Sequence, residues 1–201
     1  AQNGKAANWT LVGPTSAIPS NGGGMGRINF VRFDPANSNT VFVGSPGGGL
    51  WKSTNSGSSW SNLNTDNLPV IGCSDLAIDP NNSNVMYLAT GDGDGSDTYS
   101  IGILKSTDGG TTWNATGLNW NVTQTRTIRR LIINTSNTNI LIAATSNGIY
   151  RTTNGGTSWT QIITGSFRDL EFKPNDPNTI YATTDQFYVS TNGGVSFTQV
   201  T

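Results

Sequence analysis

The sequence predicts an all-β fold: a β-propeller with four four-stranded blades, part of a larger ring. Three observations predict it. One phrase occurs four times, as Ser53-Thr54-Asn55-Ser56-Gly57-Ser58-Ser59-Trp60, Ser106-Thr107-Asp108-Gly109-Gly110-Thr111-Thr112-Trp113, Thr152-Thr153-Asn154-Gly155-Gly156-Thr157-Ser158-Trp159 and Ser190-Thr191-Asn192-Gly193-Gly194-Val195-Ser196-Phe197. A turn rich in Pro, Asn and Asp precedes each phrase, at residues 34–39, 79–84, 134–139 and 173–178. The runs between are short, apolar and β-branched. A fixed phrase at a loose period marks a repeat architecture, and four strands in roughly 45 residues make a propeller blade.

Each blade reads as strands a, b, c and d. In the second blade these are 74–78, 84–90, 101–106 and 112–116, with the proline turn joining a to b and the repeated phrase joining c to d. Proline fixes φ for the first turn, while Asn and Asp accept hydrogen bonds from its backbone. In the phrase, Gly takes a positive φ at no steric cost, and the hydroxyl and the carboxylate or amide satisfy hairpin N–H groups. The blades are placed at 27–63, 74–117, 127–163 and 167–201. Residues 8–13, with Trp9, read as a closing outer strand comparable to the run after Trp159. No a–b–c unit remains for that strand to complete, so the ring is expected to need a blade outside this stretch. Strand direction puts the repeated phrases and the a–b turns at one end of every blade. The b–c and d–a loops lie at the other end, where a ligand is expected.

Composition narrows the function. Charged residues are only 11% of the 201, so Ser, Thr, Asn and Gly supply the polarity, which suits short strands and tight turns. A net charge of −1 gives no basic face for nucleic acid, and no apolar run approaches a membrane span. Histidine is absent, which removes Ser-His-Asp and Cys-His chemistry from this stretch. The single cysteine, Cys73, excludes an intrachain disulfide and reads as a small buried hydrophobe.

Two loops on the binding end stand out. The b–c loop of the second blade carries Asp92, Asp94 and Asp97 between glycines, followed by Tyr99. Several oxygens in a flexible loop suit Ca²⁺, so these three residues are candidate metal ligands; the other reading is a solvated acidic loop held by its own turns. The d–a loop leading into the third blade carries Trp120, either an indole for stacking on a sugar or peptide or a cap on a neighbouring loop. Strand a lines the channel. Aligned on their turns, Asn29, Ser74, Arg129 and Arg168 share one rank, Phe30, Asp75, Arg130 and Asp169 a second, and Arg32, Ala77, Ile132 and Glu171 a third. Arg27, Arg129 and Arg168, near the binding rim, are candidate anion or ligand contacts together with Trp120 and Tyr99. Asp75, Arg130 and Asp169 alternate in sign and are expected to pair between blades.

The repeated phrase resembles the Asp-box (BNR repeat) of secreted propellers: bacterial sialidases, xyloglucanase-like glycosidases and sortilin-like receptors. Only Asp108 keeps the family Asp, and Asn stands in the other three phrases. The resemblance implies fold, and departs from the catalytic patterns. Sialidases carry an early Arg-Ile-Pro, where this chain has Arg27-Ile28-Asn29. Xyloglucanase-like propellers place an Asp in the first b–c region, where this chain has Ser45-Pro46-Gly47-Gly48-Gly49. The one glutamate, Glu171, is expected inside strand a. No catalytic residue is therefore assigned. The segments at 26–29, 47–53 and 97–102 are similar to large surface proteins exported by the type IX secretion system. That likeness implies a secreted or cell-surface, non-catalytic propeller for adhesion or for binding a carbohydrate or protein, with the secretion machinery as a further partner. The alternative is a fragment of a sialidase- or xyloglucanase-like glycoside hydrolase completed by other blades.

Overall fold

The computed structural model describes residues 27–94 and 97–201; the strand expected at 8–13 lies outside them. The described residues form four antiparallel sheets of four strands each, with no α-helix among them. Blade 1 comprises β1 (Phe30–Asp34), β2 (Asn37–Ser45), β3 (Gly49–Ser53) and β4 (Ser61–Asn62). Blade 2 comprises β5 (Cys73–Ile78), β6 (Met86–Thr90), β7 (Gly102–Ser106) and β8 (Asn114–Asn119). Blade 3 comprises β9 (Ile128–Ile133), β10 (Leu141–Thr145), β11 (Gly148–Thr152) and β12 (Thr160–Thr164). Blade 4 comprises β13 (Asp169–Lys173), β14 (Asp176–Thr183), β15 (Phe187–Ser190) and β16 (Thr198–Val200). Strand order within each sheet follows chain order. The first strands of successive blades, β1, β5, β9 and β13, touch one another and form the inner wall.

The repeated phrase closes every c–d hairpin with one hydrogen-bond pattern. Ser53 Oγ accepts from Gly57 N at 2.8 Å and donates to Asn55 Oδ1 at 2.9 Å, and Asn55 Oδ1 accepts from Ser59 N at 2.9 Å. The second phrase repeats this through Ser106, Asp108, Gly110 and Thr112. Asn and Asp are interchangeable because the last bond reverses. Asn55 Nδ2 donates to Ser59 Oγ at 2.9 Å, whereas Thr112 Oγ1 donates to Asp108 Oδ2 at 2.7 Å. The backbone and hydroxyl of Thr112, then the hydroxyl of Ser106, hold the Asp108 carboxyl below the usual carboxylate range. Each hairpin is also tied to the a–b turn of its own blade. Ser56 N donates to Asn39 O, Gly109 N to Asn84 O, Gly155 N to Asn139 O and Gly193 N to Asn178 O, which places turns and phrases at one end.

Three apolar clusters lie at the three blade junctions. Phe30, Phe42 and Leu50 of blade 1 meet Leu76, Met86, Leu88 and Leu104 of blade 2. Ala77, Tyr87, Ala89 and Ile103 meet Leu131, Leu141, Ala143 and Tyr150. Ile132, Ile142, Ala144 and Ile149 meet Leu170, Ile180 and Ala182. The aromatic of each phrase packs backwards onto the preceding blade: Trp113 onto the first junction, Trp159 onto the second and Phe197 onto the third. The Trp113 indole N–H donates to Leu63 O, just past β4, at 3.0 Å. The phrase glycine permits this approach. Gly194 has φ +80, and a Cβ there would lie 2.6 Å from Ile142 Cδ1. Trp60 has no described blade before it and is 39% exposed. An aromatic closing a repeated phrase is expected to pack between sheets, and Trp60 is the exception among the four.

Candidate functional site

The loop end of the inner wall holds the site. A cavity of about 510 Å³ is lined by Asn29, Ser74, Asp92, Gly93, Asp94, Arg129 and Arg168. Asn29, Ser74, Arg129 and Arg168 occupy the same register position in the four blades, at the start of each channel strand. Asp92 and Asp94 enter from the loop between β6 and β7. Repetition thus gathers an amide, a hydroxyl, two carboxylates and two guanidiniums around one space.

Arg27 organises the acidic loop. Its guanidinium pairs with Asp92, with Asp94 at 2.8 Å and with Asp97 at 3.4 Å. These bonds, led by that to Asp94, raise the Arg27 pKa further. Asp92 is only 2% exposed; its carboxylate also accepts from Asn29 Nδ2 at 3.5 Å and from Asp97 N at 3.3 Å. The three carboxylates expected to face Ca²⁺ face a guanidinium of blade 1. Among the described residues no group of three or more His, Cys, Asp or Glu is arranged to hold a metal ion. This arrangement does not fit the expected calcium site, because Arg27 already supplies the positive charge.

Arg129 is fixed by neutral oxygens. Its Nε donates to Gly93 O at 3.0 Å, and its Nη1 donates to Ser166 Oγ at 2.9 Å and Phe167 O at 3.1 Å. Burial, then the charge of Arg168, lower its pKa, while Asp94 opposes them. Arg168 pairs with Asp185 at 3.0 Å, and both side chains are well exposed.

Trp120 stands elsewhere. It is 7% exposed, within the junction of blades 2 and 3, edge-on to Tyr150 at 6.0 Å and under the Arg126 guanidinium at 5.3 Å. It offers no face for stacking, and the expectation of a ligand-facing indole is corrected. Its loop turns inward because Trp120 N donates to Ile101 O and Ser100 N to Arg126 O. Tyr99 is exposed on the acidic loop but does not line the cavity. The cavity residues that sequence reasoning left out are Asn29, Ser74 and Gly93. The first two had been aligned with Arg129 and Arg168, and that shared rank was the available signal.

Below the cavity, a chain of charges crosses all four blades. Arg32 pairs with Asp75, which lies 3.7 Å from Arg130; Arg130 in turn pairs with Glu171 and lies 3.5 Å from Asp169. The inter-blade pairing expected of Asp75, Arg130 and Asp169 is present, with Arg32 and Glu171 joining it. Asp75 is 1% exposed and also accepts from Leu131 N at 2.8 Å. Its burial raises its pKa despite both arginines. Cys73 is buried as expected, and burial pushes its thiol up to about 12.

Four sheets of this topology around a channel strand define a partial β-propeller. The comparisons agree. A xyloglucanase of Hypocrea jecorina is 29% identical over 154 residues, covering 70% of this chain and 18% of that protein. A solved GH74 enzyme of Niastella koreensis superposes with TM-score 0.68 at 27% identity, over 88% of this chain and 30% of that one. The crystal structure of an ancestral GH74 enzyme gives TM-score 0.72 at 24% identity, over 87% of this chain and 24% of that one. No family model matches the chain. The chain spans about a fifth of the length of the curated relatives it matches. Among the described residues no helix is long and apolar enough to cross a membrane.

Proposed function

We propose that this chain is a blade segment of a secreted, carbohydrate-binding propeller of the xyloglucanase kind, and that it contributes sugar binding rather than the reacting carboxylates. The observation that carries the reading is the channel-mouth cavity. Asn, Asp and Arg side chains are planar and bidentate, so a ring of them can grip neighbouring sugar hydroxyls. The similarity to xyloglucanases supports a glucan as the polymer. Hydrolysis of a glycosidic bond uses two placed carboxyl groups. In this segment Asp92 is buried under Arg27, and the 45–49 stretch carries no carboxylate. A whole protein of this kind is then a glycoside hydrolase whose reacting pair is completed by other blades.

Adhesion and type IX export, implied by the segments at 26–29, 47–53 and 97–102, are compatible with the same site and rest on those segments alone. The test is titration of xyloglucan oligosaccharides by calorimetry. Binding that weakens about tenfold or more in Arg129→Ala, with the fold intact by circular dichroism, supports the reading. Binding indifferent to Arg129→Ala and Asn29→Ala overturns it. Hydrolysis by the whole protein, abolished in Asp92→Asn without loss of binding, would make this loop catalytic.

A further inference from the structure

We infer that the channel-mouth cavity is built for a sugar acid, a hexuronate residue of a glycan, rather than for a neutral sugar; the inference rests on the carbohydrate reading above. The cavity is polarised. Its carboxylates, Asp92 and Asp94, both come from the blade 2 loop, and its guanidiniums, Arg129 and Arg168, come from blades 3 and 4. Two like charges at equivalent positions on adjacent strands repel, and this cost persists in the free protein. The hydrogen bonds of Arg129 run through Nε and Nη1 to two carbonyls and a hydroxyl, so they fix the guanidinium without neutralising it. Burial and Arg168 press against its charge and Asp94 offsets them in part; a bound anion on the Arg168 side relieves the rest. Asp185 compensates Arg168 only weakly, because both groups are exposed.

A neutral sugar would leave the guanidinium pair with only the exposed Asp185 and Asp94 to compensate it. A simple anion would use the arginines and gain nothing from Asp92 and Asp94. A hexuronate matches both walls: its carboxylate accepts from Arg129 and Arg168, and its ring hydroxyls donate to the exposed Asp94, with Asp92 buried behind it under Arg27. Asn29 and Ser74, from the two remaining blades, complete the ring with an amide and a hydroxyl. Charge-assisted bonds to a carboxylate are about twice as strong as neutral ones, so the guanidinium pair sets the preference.

The experiment titrates the protein with glucuronate- and galacturonate-containing oligosaccharides, the matching neutral oligosaccharides, and acetate. The expected result is tightest binding of the uronates, weakening as salt rises. Arg168→Gln, an exposed position, should reduce uronate affinity about tenfold and neutral affinity by a clearly smaller factor. Arg129→Lys, which keeps the charge but loses the fork, should reduce it as well. Equal affinity for uronate and neutral oligosaccharides, unmoved by Arg168→Gln, overturns the sugar-acid inference and leaves the carbohydrate reading standing. Acetate binding as well as uronate reduces the site to an anion hole and overturns the inference. No binding of any oligosaccharide overturns both.

Discussion

The aromatic residue that ends each repeated phrase does different work depending on what precedes its blade. Trp113 fills the junction between blades 1 and 2 and donates its indole N–H to Leu63 O. Truncating it removes a large partly buried ring and leaves that carbonyl without its donor. Trp113→Ala should therefore cost about 3–5 kcal/mol, read by urea unfolding. Trp60 occupies the same place in its phrase but is 39% exposed. Trp60→Ala in this chain should cost under about 1 kcal/mol, as exposed substitutions do. A loss at Trp60 equal to that at Trp113 would show the ring working within its own hairpin, contrary to backward packing. The phrase, its hydroxyl, its Asn or Asp and its Gly were legible in the sequence because they act within eight residues. The packing of the aromatic between sheets was legible too, but not its failure at Trp60, because that depends on the neighbouring blade. Trp120 was left with two readings, ligand stacking or packing on a neighbour, for the same reason: nothing local shows that its loop folds into the blade 2–blade 3 junction against Tyr150.

Strands carry the next level of information. Period and turn chemistry placed every four-stranded sheet, and the boundaries moved by a few residues: the last strand of blade 2, expected at 112–116, runs Asn114–Asn119. Aligning the channel strands also placed the alternating charges, because equivalent register puts Asp75 and Arg130 side by side on β5 and β9. Their partners were harder to foresee. Arg32 reaches Asp75 from a different rank, since a long side chain spans the gap between strands. Asp75 ties three blades, through Arg32, Arg130 and Leu131 N. Removing its carboxylate in Asp75→Ala should cost about 3 kcal/mol, the low end for breaking a buried pair, because both arginines keep some water. Its pH dependence has a definite sign. Burial raises the folded pKa of Asp75 above its unfolded value of 3.8, so the folded state holds the proton longer. The contribution of this group is greatest below that unfolded value and declines as pH rises through the folded pKa. Urea midpoints across pH 3–8 should therefore show wild type losing ground to Asp75→Asn as pH rises through that window. The opposite slope would mean the arginines outweigh burial.

At the scale of the whole molecule, the two outermost faces differ from the three junctions. Every junction sets the forward face of one blade against the backward face of the next. The backward face of blade 1 presents Val31, Phe33, Trp51 and Trp60, of which Phe33 is 62% exposed and Trp51 37%. Trp51 has the position in its strand that Leu104 and Tyr150 hold in theirs, and those two are buried against a preceding blade. The forward face of blade 4 presents Phe187 and Val200, 44% and 48% exposed, with Tyr181 stacked on Phe187 at 5.6 Å. Contiguous apolar faces of this kind mark surfaces meant to be covered. A further blade of the same repeat on each side is the expected cover; the curated relatives extend far beyond the matched stretch, which is about a fifth of their length. Two measurements test this. The 201-residue chain alone should self-associate, seen by light scattering. In a longer protein carrying it, Trp51, Trp60 and Phe187 should resist hydroxyl-radical footprinting as strongly as buried Leu104 and Tyr150. If those three side chains label freely in the longer protein, the outer faces are open surfaces, and the view of the chain as an interior arc of a ring fails.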